Sequence, residues 1–453
     1  MKRGRLFFSV ATFIVFLSSL AIANGLNLNS LGSRALAMGG AFVGLADDFS
    51  AIYWNPAGIA QFDKQCFGFY GTDIIPSGTY KFEMLVQGFG TITVVDAETV
   101  SKHYLAGMAA YYRPLSENIV AGIAVYVPAG LGQSWDGADF AAIAGYDPSL
   151  EWRSKIGLVT IAPAIAYRIN DQFFVGASLN INYGVFDVAM HAGSTEIPLI
   201  FPPYYMEVDL GQYEENMKGW GYGATFGILV KPSEMFSLGA TFRTSSKVEY
   251  SGDASISGLS TLGSILGASL NSTSDLERVI TWPMWIAGGV AFKPMENLTL
   301  TADVQYTQWS KIDVMETDYK DSFWRFLMTK EGDDKRPMHW DDAVQIRFGA
   351  EYKINTIAIR GGYYYDPSPA PDRTMNVLLP NYDFNVFTLG FGYNLNGLQV
   401  DFSFEYLTGK ERDIPFGKTQ EEFPEYDPEW KTAMPGVYNM NIVVPNISIS
   451  YKF

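Results

Sequence analysis

Hydrophobic and polar residues alternate one for one along several long stretches of the chain, the period of a strand whose two faces meet different surroundings. From Leu298, the set Leu298, Leu300, Ala302, Val304 and Tyr306 interleaves with Thr299, Thr301, Asp303, Gln305 and Thr307. Val175, Ala177, Leu179, Ile181, Tyr183 and Val185 do the same against Gly176, Ser178, Asn180, Asn182 and Gly184, and the pattern returns over 344–352 and 400–406. These runs exceed the ~5–6 residues of a mean globular strand and approach the ~10 that a tilted strand needs to cross a bilayer. A soluble β-sandwich alternates too, but over shorter strands with a solvated polar face, so strand length favours a membrane barrel.

The connections point the same way. Tight turn signals stand at 113–118, 168–171, 231–234, 293–297, 353–355 and 394–397, rich in Pro, Asn, Gly and charge. Long irregular stretches separate them, near 133–150, 188–218, 251–278, 312–340, 366–384 and 408–438, with a further one at about 72–102. Short turns on one side and long loops on the other are the rhythm of bacterial barrels, and this series predicts 14 strands with both termini on the periplasmic side. Tyr363, Tyr365, Tyr406 and Trp309, near strand ends, suit an aromatic girdle or are ordinary strand residues.

Composition narrows the class. Aromatics make up 15% of the chain and charged residues only 18%, which excludes intrinsic disorder. A formal charge of −16 disfavours a nucleic-acid partner. One cysteine, Cys66, excludes an intrachain disulfide, and His103, His191 and His339 stand too far apart for a metal cluster, so neither a metal nor another cofactor is expected. Lys2, Arg3 and Arg5, the apolar run from Leu6 to Leu17 and the Ala21-Ile22-Ala23 site read as a secretory signal peptide over 1–23, with an uncleaved anchor the weaker alternative. Its loss takes the formal charge from −16 to −19. No later stretch reaches the ~20 apolar residues of a spanning helix, so the expected home is the bacterial outer membrane.

Residues 24–62 lack strand alternation and have helical and turn composition, which places them inside the barrel as a plug, with the barrel itself over 63–453. The motifs Ala46-Asp47-Asp48, Asn55-Pro56-Ala57, Val127-Pro128-Ala129-Gly130-Leu131, Tyr306-Thr307-Gln308-Trp309-Ser310 and the run from Arg360 to Pro371, in that order, resemble the FadL/TodX family of outer-membrane transporters for hydrophobic compounds. The resemblance spans essentially the whole mature chain. It implies a 14-stranded antiparallel transmembrane barrel closed by an N-terminal hatch, with passive uptake of long-chain fatty acids or neutral and aromatic hydrocarbons and lateral exit at a kinked third strand. Asn55, Pro56, Ala57 and Gly58 are then hatch machinery approaching that kink, where by themselves they make a common turn.

For the kink, the matching residues are Pro128, Gly130, Leu131 and Gly132: the proline has no amide hydrogen for a ladder and the glycines tolerate unusual dihedrals. An ordinary bulge at the rim is the alternative. Leu259, Leu262, Ile265 and Leu266 in one long loop and Phe323, Trp324, Phe326 and Leu327 in another make a candidate extracellular capture surface, or else pack on each other. The segment matching the fifth strand has no Arg or Lys, whereas the fatty-acid transporters place basic character there, so Lys311 is the candidate carboxylate contact. Arg347 and Arg360 are read first as balancing Glu351, Asp303, Asp401 and Glu405 across the lumen. The terminal Phe453 resembles the signal read by the outer-membrane assembly machinery. Expected partners are a hydrophobic small molecule, outer-membrane lipid and lipopolysaccharide, with the protein a monomer. No histidine sits with a matching serine motif, so an enzyme is not expected; the rival readings are a hydrophilic porin and a structural or adhesive barrel.

Overall fold

The computed structural model of the protein describes residues 25–28, 31–145, 147–198, 205–421 and 423–453, and of Leu131 the backbone alone. The signal segment read over 1–23 lies outside the described residues. Fourteen antiparallel strands close into one barrel. In chain order they are β1 (Cys66–Val86), β2 (Gly90–Glu98 and Tyr104–Pro114), β3 (Ile119–Trp135), β4 (Trp152–Arg168), β5 (Phe173–His191), β6 (Gln212–Ser233) and β7 (Phe236–Arg243 and Ser246–Ile256). There follow β8 (Thr273–Trp282 and Trp285–Met295), β9 (Leu298–Thr307 and Val314–Tyr319), β10 (Lys335–Pro337 and Ala343–Ile354), β11 (Ile357–Asp366), β12 (Phe384–Leu395), β13 (Leu398–Gly409 and Arg412–Ile414) and β14 (Gly436–Lys452). Consecutive strands pair, and β14 returns to β1 in a register running from Cys66↔Lys452 to Lys81↔Val437. Closure leaves no edge strand, the condition for placing a sheet in hydrocarbon.

Alternation does what the sequence asks of it. Leu300 and Val304 face outward while Thr299, Thr301, Asp303 and Gln305 are buried in the lumen. All six tight turns fall where the signals stand, at the end where the chain enters and leaves the barrel. At one of them Asn396 and Gly397 both take positive φ, 51° and 86°, the left-handed pair that matches a hairpin's twist.

The long connections are more regular than expected. The stretch 72–102 is the continuation of β1 and β2 as a ribbon, paired from Thr79↔Glu98 to Val86↔Gly90. It keeps the two-residue period, with Tyr80 and Phe82 buried, but its outward positions are Lys81 and Glu83, so its hydropathy resembles a loop. Two other loops carry the helices Leu259–Leu266 and Ser322–Glu331. Trp309 is a correction to the girdle: it is completely buried, edge-on to Trp340, because it leaves the strand in a tight turn over Trp309–Lys311, whereas Tyr365 and Tyr406 do face outward.

Inside the barrel lie residues 31–62, all buried except Asp47, Asp48 and Gln61, which are partly so. They form α1 (Ser33–Ala37), α2 (Ala51–Trp54) and a 3-10 turn (Pro56–Gln61). Gly39 and Gly40, with φ of 64° and 66°, end α1 in a conformation that suits glycine. Leu36, Met38, Phe42, Ile52 and Trp54 share one apolar cluster with Tyr70, Met108, Tyr112, Phe174 and Leu229 of the wall.

Candidate functional site

The plug is held to the wall by a few directed contacts. Asn55 Nδ2 donates to the carbonyls of Val43 and Ile228, both at 3.0 Å, while its Oδ1 accepts from Ala57 N at 3.1 Å. Pro56 starts the 3-10 turn, where a missing N–H costs nothing. Opposite this motif the wall carries Gly176, Gly227 and Gly239: a side chain on any of them would strike Pro56, Asn55 or Val43. Gly58 is equally tight against Ala46. The hydrogen bonds of Asn55 therefore run within the plug and to β6, and the residues that reach the kink are others.

Charge fixes the other side of the plug. Arg34 Nε donates to Glu351 at 2.8 Å, and its Nη1 meets Asp47 at 2.5 Å. Arg360 shares the same Glu351 oxygen at 2.6 Å and bonds Asp401 at 2.7 Å, the balancing role read for it. Burial works against the charge on Asp47, yet the adjoining Arg34 guanidinium holds this carboxyl below its usual range; burial alone dominates at Asp48 and raises it. Arg347 donates to Gln345 and lies over the Tyr364 ring, and Asp303 accepts from Val43 N at 2.7 Å.

The wall is incomplete between β2 and β3. Their ladder stops at Met108↔Tyr126 and resumes only in a single bridge, Thr99↔Trp135. Val127 and Pro128 form a bulge against β4, whose register shifts between Tyr126 and Ala129. Above the bulge Gly130, Leu131 and Gly132 stay paired with β4, opposite Gly157, Ile156 and Lys155. From Val127 to Gln133, on the order of 23 Å of strand, β3 has no ladder with β2, and Val100 N donates to Ser134 O at 2.9 Å where the bridge begins. Part of this side is taken by the start of the plug: Leu28 N donates to Pro128 O at 3.0 Å, Gly130 N donates to Leu26 O at 2.6 Å, and Asn27 faces Ala129.

Cavities lie on both sides of this gap. Toward the bilayer, one of about 450 Å³ is lined by inward Met108 and Val127 and by Phe69, Leu105, Phe402 and Ile447 of the outer face. Toward the lumen, one of about 40 Å³ is lined by Asn27, Tyr126, Pro128, Asn182, Arg243 and Trp285, among others. A third, of about 460 Å³, opens at the loop end beside Trp152, Met190, Met328 and Arg336.

The loop residues divide. Leu259, Leu262 and Trp324 are buried, Phe323 and Leu327 partly so, and Ile265, Leu266 and Phe326 are exposed. Trp324 Nε1 donates to Asn271 O at 2.9 Å, tying the two loops together. Lys311 is exposed, in the tight turn Trp309–Lys311 that follows the first part of β9. Arg243, at the lumen-facing cavity, was not singled out from sequence; its phase in β7, two residues from buried Thr241, was the available signal.

A closed 14-stranded barrel with a plug segment in its lumen defines the class: a plugged β-barrel of the outer-membrane type. The sequence model of the family described as outer membrane protein transport protein (OMPP1/FadL/TodX) matches residues 14–453, and the chain belongs to that family, placing it in the outer membrane. Among its relatives, an Escherichia coli long-chain fatty acid transport protein is 23% identical over 428 residues, covering 89% of this chain and 91% of the relative. Outer membrane protein P1 of Haemophilus influenzae is 20% identical, with 88% and 89% covered. Two solved structures share the fold. A Pseudomonas aeruginosa FadL homologue superposes with a TM-score of 0.75 at 16% identity, over 95% of this chain and all (100%) of the other. The Ralstonia pickettii toluene transporter TbuX gives 0.66 at 17%, over 94% and 99%.

Proposed function

We propose that this protein takes up hydrophobic compounds across the outer membrane by passive diffusion, with residues 24–62 as a hatch and the gap between β2 and β3 as a lateral exit. The observation that carries the reading is the break in the β2–β3 ladder at the Val127–Pro128 bulge, with one cavity on its lumen side and an apolar one on its lipid side. An apolar solute leaving through water would re-expose its surface at ~25 cal/mol per Å², and stepping sideways into lipid avoids that cost. The names of the relatives, a fatty-acid transporter and a toluene transporter, bracket the substrate. A hydrophilic porin is the weaker reading, because the lumen is filled by the apolar cluster around Leu36, Phe42 and Trp54.

In this reading Asn55, Pro56, Ala57 and Gly58 seat the hatch, Pro128, Gly130, Leu131 and Gly132 shape the exit, and the exposed Ile265, Leu266 and Phe326 offer first contact outside. Phe453 serves recognition by the assembly machinery, the closed barrel works as a monomer among outer-membrane lipid and lipopolysaccharide, and neither cofactor nor catalytic group is required.

Asn27 and Ala129 form a non-hydrogen-bonded antiparallel pair, whose Cα atoms stand ~4.5 Å apart, within reach of a disulfide. Asn27→Cys with Ala129→Cys, in a chain whose own Cys66 is buried, should therefore lock the exit when oxidised. Uptake of a long-chain fatty acid and of toluene into cells lacking their own transporter is expected to fall at least tenfold on oxidation and to recover on reduction. Equal uptake in both states would show that the solute leaves by another path.

A further inference from the structure

Arg34, Arg278 and Arg360 are each neutralised by carboxylates, with N···O distances of 2.8, 2.8 and 2.7 Å to Glu351, Glu215 and Asp401. Arg243 is different. Its Nε donates to Thr225 Oγ1 at 3.2 Å and its Nη2 to the Tyr53 carbonyl at 3.1 Å, both uncharged acceptors, and among the described residues it forms no ion pair. A guanidinium has more N–H donors than these two bonds use. The Tyr53 and Trp285 rings pack against it, with centroids 4.7 and 4.9 Å from its central carbon, and so hold it in place without cancelling its charge.

Arg243 and Tyr126 line the same small cavity at the inner side of the gap. The Tyr126 hydroxyl is completely buried and has no hydrogen-bond partner among the described residues, although such a group normally costs ~1–3 kcal/mol to leave unsatisfied. Unspent donors from two strands thus converge beside Pro128. The volume, about 40 Å³, has room for a few heavy atoms and none for a ring, which requires ~150 Å³.

We propose that Arg243 and Tyr126 form a head-group site for an amphiphilic acid: its carboxylate accepts from the Arg243 guanidinium and the Tyr126 hydroxyl at the inner mouth of the lateral exit. The proposal rests on the transport reading above and sharpens it, since it makes a monocarboxylic acid with an apolar tail the preferred solute over a neutral hydrocarbon. Tyr53 links the site to the hatch: its carbonyl takes the Arg243 bond, its ring stands edge-on to Tyr126 at 5.7 Å, and its hydroxyl donates to Leu28 O, next to the segment bridging the gap.

The test uses the full-length protein purified as folded barrel, checked by its heat-modifiable migration, with binding and liposome uptake of a long-chain fatty acid and of its uncharged methyl ester. Wild type is expected to prefer the acid. In Arg243→Gln the acid-to-ester affinity ratio should fall about tenfold or more, in Tyr126→Phe by two- to fivefold, and Arg243→Lys should restore part of it, because charge survives while the fork geometry does not. If acid and ester weaken in parallel in both folded variants, Arg243 is a packing residue and the proposal is overturned. An unchanged ratio in Arg243→Gln overturns it equally. Wild type that takes up neither compound would refute the transport reading instead, so the two failures are told apart.

Discussion

Two side chains carry much of the plug's attachment, and they do so by different physics. Asn55 satisfies carbonyls that a buried turn would otherwise strand, one from its own segment and one from β6. Arg34 brings a charge into a place that is almost dry, where Glu351 has no exposed side-chain surface at all. Without Arg34, Glu351 still keeps Arg360 at 2.6 Å and Lys353 at 3.4 Å, so what is lost is charged hydrogen bonding, about 1.5–3 kcal/mol. Arg34→Met is therefore expected to loosen the plug by that order while the strands stay folded. Hydrogen exchange should show faster exchange confined to 31–62; uniform acceleration through the barrel would contradict this. Residue types at these positions were readable in the sequence, and the balancing role of Arg360 with Glu351 and Asp401 followed from lumen phase. Arg243 has the same phase, but period two says only which face a residue occupies. It says nothing of which charge stands across the lumen, and so an arginine without an acid looks like an arginine with one.

Among the elements, the kinked strand and the plug's first residues form a composite. β3 loses β2 beyond Tyr126, and Leu26–Leu28 supply a short run of ladder in its place. Pro128 brings no N–H to this composite, yet its carbonyl still accepts from Leu28, so the proline ends one pairing and permits another. The wall meets the Asn55–Gly58 motif through a row of glycines on three successive strands, which lets the plug's backbone lie against the sheet. Gly227→Val would drive a side chain into Asn55 and Pro56, an overpacking cost of about 1–3 kcal/mol. The expected result is a folded, heat-modifiable barrel whose 31–62 segment is cut by added protease; resistance equal to wild type would mean the wall can yield. Gly176 was visible as a small member of an alternating strand, and Gly227 stands directly across from it in β6. Their partner was not visible, because contact between a plug and a wall joins residues more than a hundred positions apart.

For the molecule as a whole, the ladder closes without help from its contents. Fourteen strands pair in sequence order, and the plug adds contacts to the inner face but no strand to the closed circuit outside the gap. Deleting 25–62 should leave a barrel that still assembles and now conducts small hydrophilic ions in planar bilayers, where the full chain is silent. Failure of the shortened chain to assemble would mean that the plug organises the wall. The sequence by itself determined the strand period, the six tight turns, the strand count and the presence of a segment too irregular for the wall, because all of these are local properties, written between neighbours in the chain. Even the ribbon over 72–102 kept its period, and only its charged outer face hid it. Tertiary structure alone decided that Asn55 faces β6, that Leu26–Leu28 bridge the gap, that Trp309 is buried and that Arg243 stands beside Tyr126 without an acid. Those facts depend on how strand tilt and stagger bring distant strands around one lumen, a property of closure that no stretch of chain contains.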